Sequence, residues 1–320
     1  MKCKICGNSQ DNEFFTVKEL MFGYKDEFQY FKCGRCGCLQ IAEIPANIST
    51  YYPEEYYSFI SEPVNYKVNP LAKWVKKKRD NFALFNKGLI GKLLFKVSPN
   101  YTLACLSKVG LSKESRILDV GCGSGGFLHT LKELGFTDLL GIDPYITNEI
   151  RYDNGLLIEK KSIHEQDGQW DIIMLHHSFE HVPDQFETLD AISKLMAPGG
   201  ICLIRIPTVS SFAWEKYKEN WVQLDAPRHF FLHSINSIEL LAAKAGMKVT
   251  QIEYDSNDLQ FWGSEQYIKG IPLRRDGSPA ATPSVSLFKK SDIRRFKEQA
   301  KKLNAQNLGD QAAFYLEKQI

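Results

Sequence analysis

The sequence predicts a doubly wound α/β fold: a mostly parallel seven-stranded sheet with a small metal-binding ribbon at its N-terminus. Three observations carry this. Between residues 113 and 270, short apolar runs alternate with amphipathic segments, the pattern of βαβ units. One apolar run, ILDV, leads through the glycine-rich stretch GCGSGG into a helical pattern. Five of the eight cysteines fall within the first 38 residues.

The elements follow in four stretches. Residues 1–44 hold the cysteines, short aromatic runs and glycines, and read as a β-rich ribbon. Residues 45–112 begin with an aromatic loop and continue as a helical connector or lid. There Leu71, Trp74, Val75, Phe82, Phe85 and Leu89 follow one helical face. Within 113–270 the spacing predicts strands over 116–121, 138–143, 155–162, 170–178, 201–207 and 248–256. A helix over 127–134 stops at Gly135. Another over 185–196 turns Phe186, Leu189, Ile192 and Leu195 inward. A third starts at Asn236, with Glu239 as its capping-box partner, and ends at Gly246. The connection over 144–154 is too short for a crossover helix. Residues 271–320 read as a loop followed by a helix interrupted near Gly309.

Composition excludes some classes. With 43% hydrophobic and 24% charged residues, the chain reads as an ordinary globular protein. A net charge of +2 gives no electrostatic footprint for a nucleic-acid partner. The start MKCKICGNSQ lacks the apolar core of a secretory signal. The apolar stretch around residue 90 is too short to span a bilayer. The expected compartment is the cytoplasm. The basic runs KWVKKKRD and KSDIRRFKEQAKK read as solvated helix faces, without the aromatic interleaving of a single-strand nucleic-acid groove.

A reducing cytoplasm favours a metal over disulfides for the clustered cysteines. Cys3 and Cys6 form one C-x-x-C pair, and Cys33 and Cys36 form a second. Gly7 and Gly37 follow the pairs and allow backbone amides to turn toward the sulfurs. Four thiolates complete tetrahedral zinc with no open position, so the site is expected to be structural; iron is the alternative. Cys38, Cys105 and Cys202 read as small buried hydrophobes.

The glycine-rich turn marks a nucleotide site. Gly121, Gly123 and Gly125 permit a tight turn and close backbone approach to a ligand. A dinucleotide site would seat a pyrophosphate there. Asp119, at the mouth of the turn, instead suits a ligand with an amino group and a positive centre. S-adenosylmethionine (SAM) has both. Asp143 ends the second strand, about 20 residues past the glycines, where an acid can bond ribose hydroxyls.

The motifs DVGCGSG, GIDP, WDIIMLHHSFEHV and MAPGG resemble those of class I SAM-dependent methyltransferases, over roughly residues 115–270. The resemblance implies that Asp119, Gly121, Cys122 and Gly123 line the methionine and ribose side of SAM. It implies that Asp143 binds the ribose hydroxyls and that Pro144 and Tyr145 flank the adenine. Ser162 and Ile163 would lie by the adenine. His176 and His177 would face the methyl donor. The competing reading is a dehydrogenase-like nucleotide fold, whose helix after the second strand is reduced here.

The acceptor site is sought in WVQLDAPRHFFLH, residues 221–233. The functional reading takes His229 as a base, Arg228 as a grip on an anionic part of the acceptor, and Asp225 as an orienting group. The plain reading is a loop pinned by an Asp225–Arg228 ion pair. His177, Glu180 and His181 form a second candidate group; the plain reading there ties a helix start to a neighbouring loop. The DAPRH segment resembles bacterial methyltransferases of surface-polysaccharide and sugar modification. The expected partner is therefore a small-molecule acceptor of carbohydrate type. The alternatives are a methyltransferase acting on RNA or protein with the ribbon as reader, and a non-catalytic SAM-binding protein. Oligomeric state is left open.

Overall fold

The computed structural model describes residues 1–52, 69–274, 281–284 and 286–319. Strands β1 (Glu13–Lys18), β2 (Glu27–Lys32) and β3 (Leu39–Ile41) open the chain. Helices α1 (Pro70–Phe85), α2 (Leu89–Val97) and α3 (Tyr101–Ala104) follow. Next come β4 (Ile117–Val120), α4 (Gly126–Glu133), β5 (Leu139–Ile142) and β6 (Ile150–Arg151). Then β7 (Leu157–Glu159), β8 (Trp170–His176), α5 (Gln185–Leu195) and β9 (Met196–Pro207) follow. The chain continues through α6 (Phe212–Tyr217), β10 (Phe231–Leu232), α7 (Ile235–Lys244) and β11 (Met247–Tyr254). It closes with α8 (Leu259–Ile268), α9 (Lys290–Ala305) and β12 (Gln311–Lys318).

Hydrogen bonds order the strands into two sheets, β1-β2-β3-β10 and β11-β12-β9-β8-β4-β5-β7-β6. The chain divides into two compact units. The first comprises residues 1–57, 177–193 and 204–320; the second comprises 58–176 and 194–203. No helix among the described residues is long and apolar enough to cross a membrane.

In the second unit β4 lies between β8 and β5, parallel to both, with Ile117 opposite Ile172 and Leu139. β7 runs parallel to β5. Ile117, Leu118, Ile142, Ile158 and Ile173 have no exposed surface. Such unbroken apolar strands belong to a sheet covered on both faces. Gly125, at φ +77°, caps the start of α4. Leu128 and Leu131 bury one face of that helix. The sheet has eight strands where seven were expected. The extra one is β6, a two-residue arm antiparallel to β7 in the short 144–154 connection.

The first unit differs from the sequence reading in two places. The ribbon is not a separate sheet, because β3 pairs antiparallel with β10, joining residues 39–41 to 231–232. The segment after Gly309 is a strand, not a helix. Residues 311–316 are all buried, and β12 pairs antiparallel with β11 along its length. An apolar run with no polar face suits an interior strand better than an amphipathic helix. The antiparallel β11–β12 pair lies at one edge of the sheet, where an antiparallel strand was expected.

One glycine of the second unit can be tested directly. A methyl group on Gly141 in β5 would meet Cys122 Sγ and Ile158 Cδ1 at 2.6 Å. Gly141→Ala is therefore expected to cost about 1–3 kcal/mol through overpacking. The measurement is the midpoint of chemical denaturation. An unshifted midpoint would show that Cys122 and Ile158 move aside without cost.

Candidate functional site

The glycine turn of the second unit is built by backbone conformation and then clamped. Gly121, Gly123 and Gly125 have φ of +71°, +54° and +77°, a region costly for any residue with a Cβ. Gly121 N–H donates to the Ile142 carbonyl at 2.8 Å, tying the turn to β5. Asp143 accepts from Gly123 N–H through one oxygen and from Tyr145 N–H through the other, both at 2.8 Å. The Tyr152 hydroxyl donates to the Ser124 carbonyl at 2.6 Å. Tyr152 carried no signal in the sequence, since its partner lies 28 residues away.

Asp119 is only 3% exposed, and its Oδ1 has no hydrogen-bond partner among the described residues. Burial, and then the charge of Asp143, push its carboxyl up to about 8. An unpaired buried acceptor beside three glycines fits a ligand bearing an ammonium and a sulfonium, which is the chemistry of SAM. Cys122 packs beneath the turn, with its thiol pushed up by burial and by Asp119. It is a space-filler there. Pro144 and Tyr145 are exposed. Ser162 caps a short turn, its hydroxyl bonded to Glu165 at 2.6 Å, and Ile163 is buried. His176 ends β8, its ring tilted by 51° against that of Phe127 with centroids 4.7 Å apart. His177, expected to face the methyl donor, falls in the first unit.

In the first unit the four cysteines converge. Cys3 Sγ lies 3.6 Å from Cys36 Sγ, and Cys6 Sγ lies 3.5 Å from Cys33 Sγ. Sulfurs around zinc at about 2.3 Å stand about 3.8 Å apart. The two knuckles repeat one geometry. Gly7 N–H bonds the Cys3 carbonyl and Gly37 N–H the Cys33 carbonyl, with both glycines at φ +74°. Arg35 N–H and Gln40 Nε2 donate to the Cys33 and Cys3 sulfurs. Cys38 is fully buried beside this group.

The three candidate histidines converge on Glu180, also in the first unit. His181 and His229 lie edge to face, ring centroids 4.7 Å apart. His229 Nδ1 bonds the Gln223 carbonyl at 2.7 Å, and its Nε2 lies 3.9 Å from Glu180 Oε1 and 3.7 Å from Asp225 Oδ2. His181 Nδ1 bonds the Arg228 carbonyl at 2.8 Å, with the Tyr52 hydroxyl 3.2 Å away. Since a carbonyl only accepts, both rings carry their proton on Nδ1. His177 Nε2 accepts from Arg205 at 2.8 Å, and its Nδ1 lies 3.4 Å from Glu180 Oε1. Burial holds His181 down to about 4. Burial pushes Glu180 up, but the surrounding imidazoles hold it below the ordinary carboxylate range. His177 and Asp225 have φ of +52° and +43°, conformations that non-glycine residues keep only where their surroundings enforce them.

Arg228 corrects an expectation. Its guanidinium has no exposed surface. It donates to Asp225 at 2.6 Å and 3.1 Å, to Glu19 at 2.7 Å and to the Tyr51 carbonyl at 3.1 Å, over the Phe22 ring. Its donors are committed to a buried clamp, the plain reading of the loop. Asp225 is committed to the same clamp. Glu19, Tyr52, Gln223 and Arg205 are hydrogen-bond partners of this cluster that the sequence did not reveal. The aromatic segment read as a lid lies, beyond Tyr52, outside the described residues.

Residues 96–252 match the family described as a methyltransferase domain, Methyltransf_23. A ubiquinone biosynthesis O-methyltransferase of Psychrobacter arcticus is 27% identical over 180 residues, 49% of this chain and 68% of that one. The C-methyltransferase NovU of Streptomyces niveus is 24% identical over 157 residues, 46% of this chain and 36% of that one. This chain thus matches between about a third and two thirds of the length of these relatives. A solved SAM-dependent methyltransferase from Archaeoglobus fulgidus is 21% identical, with a TM-score of 0.40, over 64% of this chain and 86% of that one.

Asp119→Asn removes the titrating carboxyl and keeps the shape. The folded carboxyl titrates at about 8, against 3.8 for an ordinary one. The folded chain therefore holds a proton that the unfolded chain has released. That stabilisation is complete below about pH 4 and is lost as pH rises through about 8. Thermal melting of the ligand-free chain between about pH 5 and pH 9 is expected to show this decline, and Asp119→Asn to flatten it. SAM affinity falls in the variant by about 1.5–3 kcal/mol, the worth of a charged hydrogen bond. Identical melting profiles would remove Asp119 as the source.

Proposed function

We propose, for a chain that carries a class I SAM-dependent methyltransferase domain, that it methylates an oxygen or carbon of a carbohydrate in surface-glycan assembly. The observation that carries methyl transfer is the glycine turn between Asp119 and Asp143, with the unpaired Asp119 oxygen beside it. Support for a sugar acceptor comes from the DAPRH resemblance.

When bound, SAM supplies an electrophilic methyl group on a sulfonium. In this reading Asp119 meets its ammonium and Asp143, held by backbone amides of the turn, its ribose. The exposed Tyr145 ring covers the adenine. A hydroxyl or carbon-acid acceptor must also lose a proton. The Glu180–His181–His229 centre serves that step, His229 through the bare Nε2 left by its bond to Gln223. The four cysteines hold one structural zinc.

Transfer of labelled methyl from SAM to a panel of sugar nucleotides, with bulk RNA beside it, tests the acceptor. Label in RNA alone would overturn the carbohydrate reading. On the acceptor that works, His229→Ala is expected to lower kcat by roughly 10²–10⁴-fold, while SAM affinity is retained. Wild-type turnover in the folded variant would exclude His229.

Elemental analysis of the purified chain is expected to find zinc bound through Cys3, Cys6, Cys33 and Cys36. Chelation loosens the first unit, because structural zinc is coupled to folding. A metal-free chain with any of these thiols in a disulfide would overturn the assignment.

A further inference from the structure

Glu180 is an anomaly. It has no exposed surface, and neither carboxylate oxygen has a hydrogen-bond partner among the described residues. The nearest polar hydrogen, on His177 Nδ1, belongs to an atom 3.4 Å from Oε1, long for a hydrogen bond. A buried carboxylate in that position costs several kcal/mol unless something positive meets it. The wider charge balance has the same sign. Glu19, Asp225 and Glu180 are buried carboxylates, and Arg228 is the buried guanidinium among them. Arg228 is spent on Glu19 and Asp225. His177 approaches only at that long distance, and His181 and His229 are both held as Nδ1–H tautomers that present a bare nitrogen.

That tautomer is the form in which histidine binds a metal. Metal-ligating imidazoles commonly donate their other N–H to a backbone carbonyl, which fixes the ring and frees the lone pair. His229 does this through the Gln223 carbonyl and His181 through the Arg228 carbonyl. One ligand atom each from Glu180, His181 and His229 lies within 4.8 Å of the others. Two ligands of one ion at about 2.1 Å stand at most about 4.2 Å apart. The 3.9 Å between His229 Nε2 and Glu180 Oε1 is already inside that limit.

We propose that Glu180, His181 and His229 bind a divalent transition-metal cation, distinct from the ribbon zinc. Two imidazoles and one carboxylate favour manganese, iron, cobalt or zinc over magnesium, which prefers oxygen ligands alone. Three protein ligands leave positions open for an oxygen-bearing acceptor. The inference deepens the function proposed above, with which it shares this centre: His229 holds the ion through the same Nε2 that serves as the base in a metal-free centre. Binding itself requires neither SAM nor acceptor.

The test uses the full chain, replete with ribbon zinc, titrated with Mn²⁺ and followed by electron paramagnetic resonance. One Mn²⁺ per chain is expected, with nitrogen hyperfine coupling from imidazole. Glu180→Gln and His229→Asn are each expected to weaken binding by more than the roughly 10–100-fold that outer-shell changes cost. Zinc content and SAM affinity stay unchanged in both, which reports that they fold. An undiminished free Mn²⁺ signal in the wild type overturns the proposal. So does bound Mn²⁺ without nitrogen coupling, or equal affinity in the folded variants. If Mn²⁺ binds and no acceptor is methylated, the function fails and the site stands. If methylation proceeds and Mn²⁺ does not bind, the site fails and the function stands.

Discussion

The buried guanidinium of Arg228 is the interaction on which the histidine centre depends. It draws together Asp225 from its own loop, Glu19 from the end of the β1 segment and the Tyr51 carbonyl. These partners span up to 209 residues of sequence. The clamp sets the position of the backbone around it. The Arg228 carbonyl holds His181, and the Asp225 carbonyl accepts from the N–H of both Arg228 and His229. Breaking a buried pair of this kind costs about 3–5 kcal/mol, because a charge is left behind without a partner. The same pair would add little net stability against an apolar replacement of equal volume. Its value here is positional: five donors in a rigid fork fix three separate segments at once.

The nucleotide turn of the second unit rests on a different constraint. Here conformation does the positioning, through three left-handed glycines and a carboxylate that accepts from the turn itself. Asp143 is thus both a strut for Gly123 and the expected ribose ligand. A strut made of the ligand-binding group keeps that group in place before the ligand arrives, which lowers the ordering cost on binding.

Local features were legible in the sequence. The glycine turn, the strand-end acids and the paired cysteines each declare themselves within a few residues, because each depends on backbone conformation or on ligand spacing. The parallel strands were legible for the same reason, as unbroken apolar runs. Features set by distant partners were not. AAFYL after Gly309 is too short and too uniformly apolar for periodicity to separate strand from helix, and its pairing with β11 decides the matter. Arg228 read equally well as a grip or as a clamp until Glu19 and Tyr51 were found against it. The histidines read as separate candidates, since nothing local indicates that His229 and Glu180 meet across 48 intervening positions.

One electrostatic pattern recurs in the two units. Asp143 and Asp225 are buried carboxylates whose oxygens are met by the protein, by backbone amides in one case and a guanidinium in the other. Asp119 and Glu180 are buried carboxylates with oxygens that the protein does not meet. A fold can leave such a group uncompensated only where other packing holds it, and it spends stability to do so. Both stand beside conformations that were forced: glycines in the left-handed region near Asp119, and His177 and Asp225 in that region near Glu180. Each site leaves a carboxyl oxygen unmet by the protein, Asp119 held protonated by its burial and Glu180 ionised, and the ionised form of either is complementary to a positive charge that arrives from outside the chain. In the second unit the sulfonium and ammonium of the SAM proposed above are charges of that sign. In the first unit two bare imidazole nitrogens flank the carboxylate, and what fits a negative charge between two lone pairs is a metal cation.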